Sequence, residues 1–264
     1  MTMLPSVAPP IPTPNRWARP LNSADPFKWL AQGWQDFKTQ PAMSVAYGVA
    51  VFLISAALVG GLIALGWDYI LFPAFAGFMV VGPILAVGLY AKSRRIEAGK
   101  PVCWRNIFFV KPRSGGQILF TGVLLCLLMM VWIRAAVLIY ALFFGLLPFP
   151  GLNRIVPMLF TTEVGLAMLI VGTVVGGLFA AFSFAISAFS IPMLLNEQTD
   201  ALTAMGSSMA LVWNNLRVLL IWAAIVLALF LLSLATGMVG LIVIYPLLGH
   251  ASWHAYRAVQ TVAA

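Results

Sequence analysis

From Ala42 onward the chain alternates long apolar runs with short segments that hold nearly all of its charge. Between Ala42 and Ala91 the sole charged residue is Asp68, inside the turn-like Gly66-Trp67-Asp68-Tyr69. That pattern predicts two spans, 42–65 and 70–91, joined as a hairpin. Later runs predict spans at 117–137, 165–190, 218–235 and 238–256. The fold class is therefore all-α: a polytopic membrane helix bundle of six transmembrane helices, in a single membrane domain over residues 25–264. Helices suit the setting because each satisfies its own backbone polar groups in lipid.

Two runs are long for one straight span. Gln117–Leu147 would measure about 46 Å against a hydrocarbon core of roughly 30 Å, so it must tilt, project or break. Arg134 and the turn Pro148-Phe149-Pro150-Gly151 suggest a span near 117–137, with an apolar extension packed at the outer interface. Thr161–Leu195 is similarly long.

The segments before the hairpins read differently. Residues 1–24, rich in proline, read as a disordered cytoplasmic tail. Asp25 then suits an N-cap and Pro26 a first helical position. Phe27, Leu30, Trp34 and Phe37 follow at helical spacing, ending before Pro41. With Trp29 and Trp34 beside Lys28 and Lys38, this is expected to be an amphipathic helix in the headgroup region. Similar interfacial segments are expected around Trp104–Val110 and over 200–214, where Leu202, Met205, Met209 and Val212 share a face. Pro83, Pro192 and Pro246 each sit in the second span of a hairpin. The organisation thus reads as three copies of an interfacial helix plus a two-span hairpin.

Composition fixes the class: 62% hydrophobic residues, 8% charged residues and a mean hydropathy of +1.00 exclude a water-soluble fold. Of fifteen Lys and Arg residues, all but Arg134 and Arg154 fall on one side of the predicted topology. Basic loops stay cytoplasmic, so both termini are expected inside. The net charge of +8 sits beside the membrane, which favours anionic lipid headgroups as partners over nucleic acid. The basic loop Lys92, Arg94, Arg95, Lys100, Arg105, Lys111 and Arg113 is read as facing lipid. No signal-peptide pattern precedes the first span, which is expected to act as its own insertion signal. Cys103 and Cys126 fall at different depths and lack metal or redox spacing.

Arg134 would be the costliest residue if deep in lipid, but its distance from Gln117 puts it near the outer edge, where a contact with Glu163 or snorkelling is expected. His250 and His254, one turn apart, could offer two metal ligands on one face, although no third ligand is near in sequence. Polar packing and headgroup contact at the cytoplasmic end are the expected reading, ahead of metal or proton handling. Gly172 with Gly176, Gly60-Gly61, and Gly82 with Ala86 would allow close helix approach. Catalytic nucleotide, zinc-protease and serine-hydrolase motifs are missing, and no cofactor is expected.

Asp25-Pro26-Phe27-Lys28-Trp29-Leu30, Gly33-Trp34-Gln35-Asp36, Val81 to Tyr90 and Gly249-His250-Ala251-Ser252-Trp253-His254-Ala255-Tyr256-Arg257 together resemble a bacterial family called domain of unknown function 2189. The resemblance runs from Asp25 to Arg257, with the terminal motif its most specific part. It implies a multi-span protein of the bacterial inner membrane without an established activity. Its members are often labelled cytochrome c oxidase subunit I, yet such a core needs six His ligands and this chain has two His. The expected role is a noncatalytic accessory, scaffold or assembly factor with a membrane-protein partner, an association with a respiratory complex being left open. The alternative is a small permease or channel with kinked helices, using Thr173, Ser183, Ser187 and Ser190.

Overall fold

A computed structural model describes residues 15–145 and 149–260. Among these residues the structure is all helix, with no strand. In chain order the helices are α1 Asp25–Lys38, α2 Pro41–Ala64, α3 Leu71–Leu85, α4 Val87–Glu97, α5 Trp104–Phe108, α6 Gly115–Phe144, α7 Leu152–Thr161, α8 Glu163–Ser187, α9 Ser190–Asn196, α10 Ala201–Asn214, α11 Leu216–Ala235 and α12 Leu241–Gln260. A short helix (α1, α5, α10), a long apolar helix (α2, α6, α11) and a proline-bearing run (α3–α4, α8–α9, α12) recur three times.

Among the described residues, five stretches are long and apolar enough to cross a membrane: Pro41–Ala64, Asp68–Glu97, Gly115–Phe144, Glu163–Asn196 and Leu216–Ala235. The sixth expected span, carried by α12, falls short because its second half holds His250, Ser252, His254, Arg257 and Gln260. Its burial explains the composition. α12 packs against α1, α2, α4 and α11, so much of its surface meets protein. By contrast α2, α6, α8 and α11 leave large apolar side chains such as Ile54, Leu142, Ile170 and Leu220 exposed, as lipid contact requires.

Several sequence expectations are corrected in detail. The third run, expected to tilt, project or break, does not break: α6 continues as one helix past the expected span end near 137 to Phe144, about 45 Å at helical rise. Beyond Gly151 the chain forms α7, a separate amphipathic helix that packs Ile155 inward against α8. The fourth run does break, at Ala188-Phe189. Pro192 lacks the N–H that would bond the Ala188 carbonyl, and its ring would crowd that group. Pro246 is accommodated inside α12.

Of residues 1–24, read as a tail, residues 1–14 lie outside the described residues, and 15–24 are held in place. Trp17 and Leu21 pack on the core, Asn215 bonds the Arg19 amide and the Trp17 carbonyl at 2.8 and 2.9 Å, and Arg19 Nε donates to the Val259 carbonyl. Asp25 is the first residue of α1 rather than its N-cap, accepting from the Asn22 amide at 2.7 Å.

The short helices expected at the interface have two faces, which an apolar count alone merges. In α1 the docked face is Trp29, Gly33, Asp36 and Phe37, whereas Phe27 and Trp34 point outward. In α10 the docked face is Ala201, Ala204, Ser208 and Leu211. Leu202, Met209 and Trp213 are exposed, Met205 is half-buried, and only Val212 of the expected set is buried. Small residues let these helices approach the bundle while outer aromatics remain available to the headgroup boundary.

Candidate functional site

The polar ends of α1, α4, α9 and α12 and the start of α2 meet at one end of the bundle. α1 reaches α12 through Gly33, where an added Cβ would lie 2.6 Å from the Ala251 amide nitrogen. One turn further along each helix, Asp36 Oδ2 lies 2.8 Å from His254 Nε2. α2 reaches α12 through Gly48, whose added Cβ would lie 2.1 Å from the Ile242 carbonyl oxygen. One turn before Gly48, Ser44 lies opposite His250.

His250 is completely buried and occupied at both ring nitrogens: Nε2 is 3.0 Å from Ser44 Oγ, and Nδ1 is 2.8 Å from Ser93 Oγ on α4. Lys92 is also completely buried, donating to Ser44 Oγ at 2.7 Å and to the Gln40 carbonyl at 3.4 Å. An ammonium can only donate, so Ser44 accepts from Lys92 and its own proton can go to Nε2. The arrangement that then satisfies each donor keeps the imidazole proton on Nδ1, donated to Ser93. The chain of contacts Gln40–Lys92–Ser44–His250–Ser93 thereby ties α2, α4 and α12 together.

A second layer lies toward the helix ends. Trp253 Nε1 and Arg257 Nε donate to the two oxygens of Glu97 at 3.0 and 2.8 Å. Tyr256 and Gln260 both donate to Glu197 Oε1, at 2.6 and 2.7 Å. Outside the spans, Lys28 beside Asp25 holds that carboxyl below the usual carboxylate range. The Thr203 hydroxyl does the same for Asp200, which caps α10 by accepting from the Thr203 amide at 2.9 Å.

The expected lipid-facing basic loop is therefore divided. Lys92, Arg94 and Arg95 belong to α4, and Lys92 faces the interior rather than lipid. Arg94 and Arg95 are half-buried, whereas Lys100, Arg105, Lys111 and Arg113 are exposed. Arg94, Arg95, Arg105 and Lys111 line a cleft of about 360 Å³ between α4 and the α5 segment.

The expected contact between Arg134 and Glu163 is not formed. Both are exposed, and among the described residues no ion pair joins them. Glu163 sits in the first turn of α8, where the helix dipole favours a negative charge. His250 and His254 turn to different partners, and no group of three or more His, Cys, Asp or Glu converges among the described residues. Gly176 does allow a close approach, by Trp132. Gly60, Gly61, Gly82 and Gly172 face open space instead.

A second feature lies deeper. α3, α8, α11 and α12 surround a cavity of about 180 Å³, mostly apolar, whose lining includes Ser183, Ser187, Ser233 and Ser252. The hydroxyls of Ser183 and of nearby Ser190 are buried without a hydrogen-bond partner.

Sequence reading missed Ser44, Ser93, Asp36, Glu97 and Glu197. Asp36 carried a readable signal: it continues the Trp29–Gly33 face at helical spacing, and a small residue next to a carboxylate marks a docking face. The other four had none, since their partners are remote in sequence.

No curated protein and no solved structure matches the chain. A family match covers residues 71–196, from α3 through α9. It includes the Val81–Tyr90 motif, while the Asp25–Asp36 and Gly249–Arg257 motifs lie outside it. The family whose model these residues match is described as predicted integral membrane protein (DUF2189), and the apolar helices identify the chain as a multi-pass integral membrane protein.

Proposed function

We propose that the chain is a six-span protein of the bacterial inner membrane, with both termini cytoplasmic. In this reading it acts as a noncatalytic accessory, scaffold or assembly factor through protein and lipid contacts. The observation that carries the reading is the internal use of its polar residues: Lys92, His250, Asp36 and His254 are bonded to one another or to Ser44 and Ser93 rather than gathered around an open cleft. Such a network fixes helix positions and gives a rigid body on which a partner can dock. The outward aromatics of α1, α5 and α10 supply the surface that meets headgroups or a neighbouring protein.

The six-span count is supported by α12 itself. Its first half is apolar, its second half is polar where it meets α1, and it returns the chain to the end that holds α1. Affinity purification of tagged protein from native membranes after crosslinking tests the role. A reproducible stoichiometric membrane-protein partner is expected, a respiratory complex being one candidate. Repeated recovery of a lone homogeneous species would count against a scaffold.

The serine-lined cavity favours one second reading, a permease. It predicts solute flux in proteoliposomes that falls at least about tenfold in Ser183→Ala with Ser187→Ala, as expected when hydrogen bonds to a polar substrate are lost. The scaffold reading predicts no flux above that of empty liposomes.

A further inference from the structure

The cleft between α4 and α5 has a chemistry that the buried network does not use. Two of its cations are held rigidly: Arg94 Nη1 donates to the Leu195 carbonyl on α9, and Arg95 donates through Nε and Nη2 to the Pro101 carbonyl at 2.9 and 2.6 Å. Arg105 and Lys111 complete the rim, with Asn106 as a neutral polar neighbour, and no carboxylate belongs to the lining. Each arginine keeps further N–H groups for another acceptor, because a guanidinium carries five donors. Four cations around one concavity repel each other until an anion fills it.

The level of the cleft in the membrane is marked by its neighbours. Trp104, Phe108 and Phe109 are exposed beside it, and Trp104 stacks on Phe108, which stacks on Tyr47 of α2. Exposed aromatics next to a cationic cleft belong at the boundary between headgroups and acyl chains. An acyl chain leaving the cleft there would meet apolar helix surface, whereas a soluble anion would gain nothing from these rings.

We propose that this cleft is a stoichiometric site for an anionic phospholipid carrying two phosphates, whose headgroup lies among Arg94, Arg95, Arg105 and Lys111. A single phosphodiester would neutralise only one of the four cations, and basic pockets between membrane helices suit headgroups of higher charge. The proposal rests on the cytoplasmic orientation of the basic end given above and deepens its lipid contact from a diffuse attraction to one defined site.

The test uses full-length protein in phosphatidylcholine nanodiscs, titrated with cardiolipin as the two-phosphate probe and followed by native mass spectrometry. One tightly retained cardiolipin per chain is expected. Arg105→Gln with Lys111→Gln, both exposed rim positions, is expected to weaken retention roughly 30-fold, and Lys38→Gln with Lys100→Gln, the same charge change at exposed positions outside the cleft lining, less than about threefold. Equal losses in the two double variants would overturn a defined site. Equal retention of phosphatidylglycerol would overturn the two-phosphate assignment, and equal binding of inorganic pyrophosphate would overturn the lipid. The partner capture described above scores protein rather than lipid, so the two proposals fail separately.

Discussion

Gly48→Val is expected to abolish the folded bundle. A Cβ at Gly48 would lie 2.1 Å from the Ile242 carbonyl oxygen and 2.7 Å from its carbon, so the obstacle is backbone and cannot turn aside by a rotamer change. Overpacking a core usually costs about 1–3 kcal/mol, and a clash against helix backbone belongs at or above the upper end. Because α12 docks on α2 at this point, parting the two helices also strains the Ser44–His250 contact one turn away. Gly60→Val is the matching control, since nothing lies within 4 Å of its Cβ. Size-exclusion profiles of detergent-solubilised protein should show aggregation for Gly48→Val and a wild-type peak for Gly60→Val. A monodisperse Gly48→Val protein would show that α2 and α12 are not packed this closely.

His250→Leu is expected to produce the second large loss. Leucine approximates the imidazole in volume, so the effect isolates polarity from cavity formation. Ser44 and Ser93 would each lose a buried partner, at about 1–3 kcal/mol per unsatisfied group, and the ammonium of Lys92 would be left with a weakened acceptor. A total of about 2–6 kcal/mol follows, measurable as a reduced unfolding midpoint in a denaturing detergent titration. The cycle with Ser93→Ala should be non-additive: once His250 is gone, removing the Ser93 hydroxyl should cost less than it does alone. Additive losses would mean that the imidazole and Ser93 do not share a hydrogen bond.

The sequence made the hairpins legible because long apolar runs and their polar interruptions are local signals. Ala42–Ala91, with Asp68 alone at its turn, became α2 and the α3–α4 run as expected. The short helices before each hairpin were also readable, but their orientation was not. Counting apolar positions singled out Phe27, Leu30, Trp34 and Phe37, of which Leu30 and Phe37 pack inward and Phe27 and Trp34 do not, whereas the face of α1 that docks was chosen by the match of Gly33 to Ala251 and of Asp36 to His254. Both partners lie on α12, more than two hundred positions away in the chain. Lys92 misled for a related reason. A cation at the end of an apolar run resembles the start of a loop, and the arrival of Ser44 and the Gln40 carbonyl at the start of α2 makes its burial tolerable. Arg134 and Glu163 show the converse, since proximity in a topology diagram did not bring their side chains together. The hydropathy of α12 was diluted by the residues that anchor it, so composition does not mark it as a span and the proposal that it is the sixth draws on packing instead.

The most direct test of this architecture is thiol accessibility in intact cells, with Cys103 and Cys126 replaced by serine and single cysteines introduced in turn. The account predicts that a membrane-impermeant reagent labels Asn153→Cys and Val239→Cys from outside. Ala24→Cys, Lys100→Cys and a cysteine appended after Ala264 should remain protected until the membrane is opened. Labelling of the appended cysteine from outside, or protection of Val239→Cys, would contradict it, because α12 would then not cross the membrane and the end of the bundle built around His250 would not lie with the basic face.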